Sequence, residues 1–203
     1  MDVITQIGND FSAASSSIYH YLPLVLKLIG LAWLIQLINY LLGYRLNYFG
    51  IYPRHLRGLI GIPCAPFLHG NFDHLFFNTV PFFALSLLML MAGSSIFLCA
   101  SLLIILISGA LTWLLGRSAI HIGASSLVIG YWSYLLIAAY HQKSLITVGL
   151  ALICIYYFGS FLLSLIPSNE KVSWEGHLFG FLAGLAANYL TIPLLIFIKH
   201  SIK

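Results

Sequence analysis

Acidic side chains are almost missing from this chain: Asp2, Asp10, Asp73, Glu170 and Glu175 are the whole supply in 203 residues. None lies in the interior of an apolar run, so no paired carboxylates and no His-Glu-x-x-His metal pattern occur there. Charge of either sign is scarce, at 7% of residues, where soluble domains carry about a quarter. That shortage excludes a water-soluble globular domain. The nine Lys and Arg give a net charge of +4, yet they are spread singly and form neither the patch nor the stripe that nucleic acid requires. Cys64, Cys99 and Cys154 are odd in number and two of them sit in apolar runs, which leaves no disulfide framework and no Cys-x-x-Cys knuckle. No cofactor or metal motif is present. The first 17 residues have Asp2 and Asp10 but no Lys, Arg or apolar core, unlike a cleavable signal.

What the chain has instead is apolar runs, with 61% of its residues hydrophobic. A membrane-spanning helix takes about 20 mostly apolar residues. Runs at 22–43, 74–92, 95–115, 123–140, 144–166 and 174–198 therefore predict an all-α polytopic bundle of six transmembrane helices, one domain over 1–203. Lys27 in the first span is close enough to one end to snorkel, while Gln36 and Asn39 are expected to face inward. Residues 44–73 form a long first loop in which Arg45, Arg54, His55 and Arg57 mix with aromatics. That mixture suits the membrane interface, and a loop of this length is usually functional. Gly93-Ser94 should turn the second span into an antiparallel third. The fourth run is short and opens on small residues, and irregular backbone at membrane depth is tolerated only around a protein-enclosed or watery cavity. Ser125 is thereby expected on the floor of one.

Two stretches carry the chemistry. His121-Ile122-Gly123-Ala124-Ser125-Ser126 places a serine among small residues, and Trp174-Glu175-Gly176-His177 opens the last run with a histidine; serine and histidine are the minimum pair for acyl transfer. Alone, each is more often an ordinary polar residue. The last span, however, carries His177, Gly180 and Gly184 at i, i+3 and i+7, on one helical face. Gly180-x-x-x-Gly184, widened by Ala183 and Ala187, is the smooth strip that lets two helices approach closely in lipid. Close approach to the fourth span would carry the imidazole to Ser125. On the second span His74 and Asn78 are four apart on one face, and both can donate hydrogen bonds to an oxyanion. His69 and Asn71 read as loop-anchoring and helix-capping residues.

Together these residues resemble the rhomboid intramembrane serine proteases in their minimal six-helix bacterial form. The resemblance runs from the first loop onward and rests on Pro66-Phe67-Leu68-His69 with His74 and Asn78, on Gly123-Ala124-Ser125-Ser126, and on Gly176-His177-Leu178-Phe179-Gly180-x-x-x-Gly184. Trp113-Leu114-Leu115-Gly116-Arg117 also matches the family's approach to the nucleophile. It implies a rhomboid-like bundle whose first loop lies in the outer leaflet. Ser125 is implied as nucleophile and His177 as general base without an acidic third member, since Glu175 points to a different face. The implied oxyanion site is His74, Asn78 and the Ser125 backbone amide, supported by His69, Gly123, Gly180 and Gly184. The implied substrates are the transmembrane or juxtamembrane segments of other membrane proteins. The implied partner surface is the lipid bilayer, with no nucleic acid or metal, and the location a bacterial inner membrane with the site opening extracytoplasmically and both termini cytoplasmic.

Two residues depart from the family pattern: Ser126 replaces a glycine, and Ile129 replaces the ring that commonly stacks on the histidine, which leaves His177 to be positioned by packing alone or by another ring such as Tyr131 or Trp132. Topology by charge is divided, with Lys27, Lys143, Lys199 and Lys203 inside and Arg45, Arg54, Arg57, Arg117 and Lys171 outside, against the positive-inside trend. Lateral substrate access predicts a gate in the large-residue fifth span and the Pro167–Ser173 loop, with Phe158 or Phe161 closing on Phe77. Rival readings are an inactive rhomboid-like binding module and a proton-coupled transporter; for the latter the chain lacks repeats or paired broken helices.

Overall fold

The computed structural model describes residues 3–142, 145–166 and 173–201, and among these the chain is helical apart from its connections. Six long helices follow in order: α1 (Val3–Leu41), α2 (Phe72–Met91), α3 (Ser94–Leu115), α4 (Ser125–Gln142), α5 (Leu145–Phe158) and α6 (Trp174–Ser201). A 3-10 segment, Gly159–Leu165, continues α5. Five segments are long and apolar enough to cross a membrane: Ser15–Leu41, α2, α3, Thr147–Leu165 and α6. The remaining helix, α4, is the exception for a physical reason. His141 and Gln142 at its end and the serines at its start lower its apolarity, and much of it faces protein rather than lipid, with Val128, Ile129, Tyr131 and Trp132 each 1% exposed.

Helix α1 starts earlier than the apolar run from Leu22 suggests. The polar stretch ahead of that run stays helical, and Pro23 lies inside the helix. It ends where Gly43 and Tyr44 adopt positive φ of 64° and 62° and the Tyr44 amide returns to the Asn39 carbonyl at 2.7 Å, a left-handed C-terminal stop. Asn39 is fully buried, bonding Asn47 Oδ1 at 2.9 Å and accepting from the Leu46 amide, so it fastens the helix to the loop. Gln36 is as deeply buried but has no hydrogen-bond partner among the described residues.

The connection from α1 to α2 is a chain of short turns, Arg45–Phe49, Leu56–Leu59, Gly61–Cys64 and Ala65–Phe67. It is bound to the α3–α4 connection at several points. Ile51 and His121 exchange backbone hydrogen bonds of 3.0 and 2.8 Å. The Arg54 guanidinium donates to the Gly116 carbonyl at 2.8 Å and to Ser118 Oγ at 2.9 Å, and Trp113 Nε1 donates to the His55 carbonyl. Outward, Tyr48, Phe49, Leu56 and Ile60 are exposed. Gly93, at φ 111°, makes the α2–α3 turn.

Helices α4 and α6 approach each other backbone to backbone. A Cβ on Gly180 would collide with the Ser126 backbone and one on Gly184 with the Gly130 carbonyl. Ala183 and Ala187 of α6 are fully buried. With little hydrophobic drive between helices in lipid, backbone approach of this kind supplies the contact area that holds them.

Candidate active site

Ser125 is the first residue of α4, and Ala124 ahead of it accepts the first helical hydrogen bond, from Val128, at 2.9 Å. The amides of the first turn therefore have no partner inside their own helix, the arrangement by which helix starts meet anions. The chain reaches this point through Gly123 at φ 117°, a conformation other residues rarely adopt. Space makes the same demand. A Cβ on Gly123 would lie 2.8 Å from His74 Cε1, 2.9 Å from His74 Nε2 and 3.9 Å from Asn78 Nδ2. Gly123 thus lets the backbone ahead of Ser125 lie against both proposed oxyanion donors.

Local folding places those donors. Asn71 caps α2, its side chain accepting from the His74 amide at 2.7 Å. Asn78 sits one turn further on, 7% exposed, its amide donating to the His74 carbonyl at 3.0 Å. His69 is fully buried and its Nε2 accepts from the Ala124 amide at 3.4 Å. Anchoring is its part, and capping falls to Asn71. Burial pushes the His69 pKa down to about 3, with the nearby His74 ring adding to the effect and the Phe67 backbone opposing it. A neutral ring is what an accepting Nε2 requires.

His177 lies in the first turn of α6, 9% exposed, its amide donating to the Ser173 carbonyl at 3.3 Å. It is one turn before Gly180, and Ser125 is one residue before Ser126, so the Gly180–Ser126 contact sets both at the same end of the α4–α6 pair. The His74 ring and the Ser164 backbone are the electrostatic neighbours of its imidazole. Among the described residues no hydrogen bond joins Ser125 to His177, and His177 Nδ1 is buried without a partner; catalytic hydrogen bonds are often long before substrate binds.

Other sequence expectations fare differently. Tyr131 packs its ring near Phe82 and Phe97 and bonds Ser101 at 2.7 Å, while Trp132 contacts Phe161 and Phe181 and donates to the Cys154 carbonyl. Neither stacks on His177, because both point toward the bundle core one to two turns deeper. Phe158 and Phe161 stack on each other at 5.6 Å and Phe161 meets Trp132 edge-on at 5.8 Å. Phe77 instead contacts Phe76 and is 74% exposed, and the ring that Phe161 meets is Trp132. Residues 167–172 of the expected gate loop, including Glu170 and Lys171, fall outside the described residues, as do Lys143 and Lys203. Among the described residues, no group of three or more His, Cys, Asp or Glu is placed to hold a metal.

Sequence reasoning passed over one cluster. His121, 6% exposed, bonds Ser173 Oγ through Nδ1 at 2.7 Å and the Arg117 carbonyl through Nε2 at 3.0 Å. The Glu175 carboxylate pairs with Arg117 Nε at 3.5 Å and lies 3.4 Å from Ser173 Oγ. The available signal was Ser173 itself, a residue type that caps helices, three positions before Gly176.

The family profile of the Rhomboid domain matches residues 55–194. An uncharacterized protein of Mycobacterium tuberculosis is 37% identical over 175 residues, covering 82% of this chain and 73% of that protein. Uncharacterized proteins of Mycobacterium bovis, with the same figures, and of Mycobacterium leprae, 33% identical over 176 residues with 82% and 69% covered, are similar as well.

Proposed function

This chain belongs to the rhomboid family of membrane proteins, and from that premise we propose that it is an intramembrane serine endopeptidase acting through a Ser125–His177 dyad. The observation that carries the reading is the fit of His74 and Asn78 against Gly123, two residues before a serine at a helix start. That fit supports a site in which the Ser125 hydroxyl, the two side-chain donors and the first-turn amides of α4 act on one carbonyl group.

In the proposed reaction Ser125 Oγ attacks the scissile carbonyl carbon and His177 Nε2 takes its proton. The carbonyl oxygen becomes an oxyanion facing His74, Asn78 and the Ser125 amide, donors fixed before the charge develops. His177 then passes the proton to the leaving amine, the C–N bond breaks, and an acyl-Ser125 ester remains. Water, deprotonated by His177, hydrolyses that ester and restores the serine. Glu175 does not complete a triad, since its carboxylate is engaged with Arg117 and Ser173.

The chain is an integral membrane protein, and the bilayer is its environment. In the proposed arrangement α4 joins the five apolar segments to make six crossings, and the exposed rings and aliphatics of the first loop lie in the interface. The termini face the cytoplasm and the site opens extracytoplasmically, in a bacterial inner membrane. An inactive binding module is the second reading, favoured by the missing ring on His177. Labelling with a fluorophosphonate, alongside cleavage of a reconstituted transmembrane substrate, tests the choice. Both signals should be present in the wild type and lost in Ser125→Ala; cleavage surviving in that variant sinks the proposal.

A further inference from the structure

One short hydrogen bond joins the connection that carries Ser125 to the helix that carries His177. His121, four residues before Ser125, is fixed from several sides. Its backbone exchanges two hydrogen bonds with Ile51, its ring is buried, and its Nε2 lies 3.0 Å from the Arg117 carbonyl. A carbonyl only accepts, so Nε2 carries the proton and Nδ1 presents its lone pair. The partner of that lone pair is Ser173 Oγ at 2.7 Å; Glu175 Oε2 also approaches that hydroxyl, at 3.4 Å, and its one hydrogen goes to the shorter contact with Nδ1. Ser173 in turn organises the first turn of α6, with Oγ accepting from the Gly176 amide at 3.2 Å and the carbonyl accepting from the His177 amide at 3.3 Å.

We propose that His121 and Ser173 are positioning residues for the dyad, clamping the first turn of α6, and with it the His177 imidazole, to the connection that ends at Ser125. The proposal rests on the reading of Ser125 and His177 as the reacting pair. The need for a clamp follows from the packing. The glycine strip fixes α6 on α4 only from Gly180 inward, and His177 lies a turn before it; among the described residues no ring stacks on it and its Nδ1 makes no hydrogen bond of good geometry, the Ser164 backbone being the polar group near the imidazole. A third acidic residue would ordinarily orient such a ring from Nδ1. Here the backbone that bears the ring is held instead. The Arg117–Glu175 pair is a second tie between the same two segments. Burial lowers the His121 pKa, opposed by the Arg117 carbonyl and Glu175, which favours the neutral ring the clamp needs.

Three variants and two readouts test this in the full-length protein purified in detergent. Ser173→Ala removes the hydroxyl, His121→Phe keeps a ring without an acceptor, and His121→Asn returns an acceptor near the Nδ1 position. The readouts are kcat and KM on a transmembrane substrate, and amide hydrogen exchange at Gly176 and His177. Because misplacement of about 1 Å can cost a hundred-fold, Ser173→Ala and His121→Phe should lower kcat about ten- to a hundred-fold with KM little changed. His121→Asn should recover most of the loss. Exchange at Gly176 and His177 should quicken in the two damaging variants, while α4 keeps its protection. Wild-type kcat in Ser173→Ala, or unchanged exchange at both amides, overturns the proposal, and Ser173→Ala decides it should His121→Phe fail to fold. A wild type that neither cleaves substrate nor takes a fluorophosphonate sinks the protease reading separately; the exchange readout then still judges the clamp.

Discussion

Helix α4 meets its two neighbours in opposite ways. Toward α6 it offers backbone: Ser126 and Gly130 lie where side chains of Gly180 and Gly184 would stand. Toward α5 and its 3-10 continuation it offers Trp132, which touches Phe161 edge-on and reaches the Cys154 carbonyl at 3.1 Å. Burial follows the same division. Of the apolar stretch within Thr147–Leu165 only 6% is buried inside the protein, against 22% for α6. Lipid tails are as apolar as leucine, so a helix held by a few large side chains loses little when lipid replaces its contacts, while one held by interlocked backbone has no substitute partner. The dyad is thus proposed on the rigid side of α4, and substrate access on the loose side.

Removing the chemistry from the rigid side should have the largest effect. Ser125→Ala and His177→Ala should each reduce cleavage to background, a loss of roughly a million-fold where such residues have been removed from serine hydrolases. Gly184→Val tests the rigidity itself. Its side chain would displace the Gly130 carbonyl, and overpacking of this kind should cost at least about 2 kcal/mol, read as a lower unfolding temperature in detergent together with lost activity. A stable, active Gly184→Val protein would erase the contrast between the two faces. Asn78→Ala should be milder: one oxyanion donor is worth about a hundred- to a thousand-fold in kcat, so traces of activity should remain.

His69 sharpens the comparison through pH. It ties the first loop to the rigid side, at the amide ahead of Ser125. Its folded pKa, about 3, lies below the ordinary 6.5. For a depressed histidine the unfolded chain takes up protons the folded chain refuses, so the stabilisation is complete above about pH 6.5 and declines as pH falls toward 3. The slope should be of the order of 1 kcal/mol per pH unit. Thermal unfolding followed from pH 7 to pH 4 should therefore show a falling midpoint, and His69→Gln should flatten that fall; parallel curves would remove His69 from the account.

Much of this was legible in the sequence, for identifiable reasons. Apolar runs located α2, α3, α5 and α6 because lipid leaves few alternatives to a helix of that length. Gly180 and Gly184 announced a close helix contact because spacing alone puts them on one face. Helix rotation was not legible: whether Phe161 meets Phe77 or Trp132 depends on angles that no spacing encodes. The polar start of α1 was passed over because the apolar run, not helical propensity, marked its boundary. The His121–Ser173 bond was hidden for another reason, since 52 residues separate its partners and only the Ile51 bridge and the α6 start bring them together.

The smallest expected effect belongs to the loose side, and it bears most directly on how substrate reaches Ser125. If α5 and the Gly159–Leu165 segment form the gate, their resting position depends on Phe161 against Trp132 and on the Phe158–Phe161 stack. Aromatic pairs of this kind are worth about 0.5–1.5 kcal/mol beyond their buried area, so Phe161→Ala should favour the open position by roughly two- to ten-fold. The readout is faster cleavage of a substrate embedded in the bilayer, with labelling by a small fluorophosphonate unchanged, because a small probe does not need the gate. Phe77→Ala should give the smaller rise, its ring being exposed and turned to Phe76. A larger rise from Phe77→Ala would move the closure across to α2. If a disulfide locking α5 to α2 left turnover on the embedded substrate untouched, access would run elsewhere, and the loose packing of α5 would be a property of the bundle with no part in catalysis.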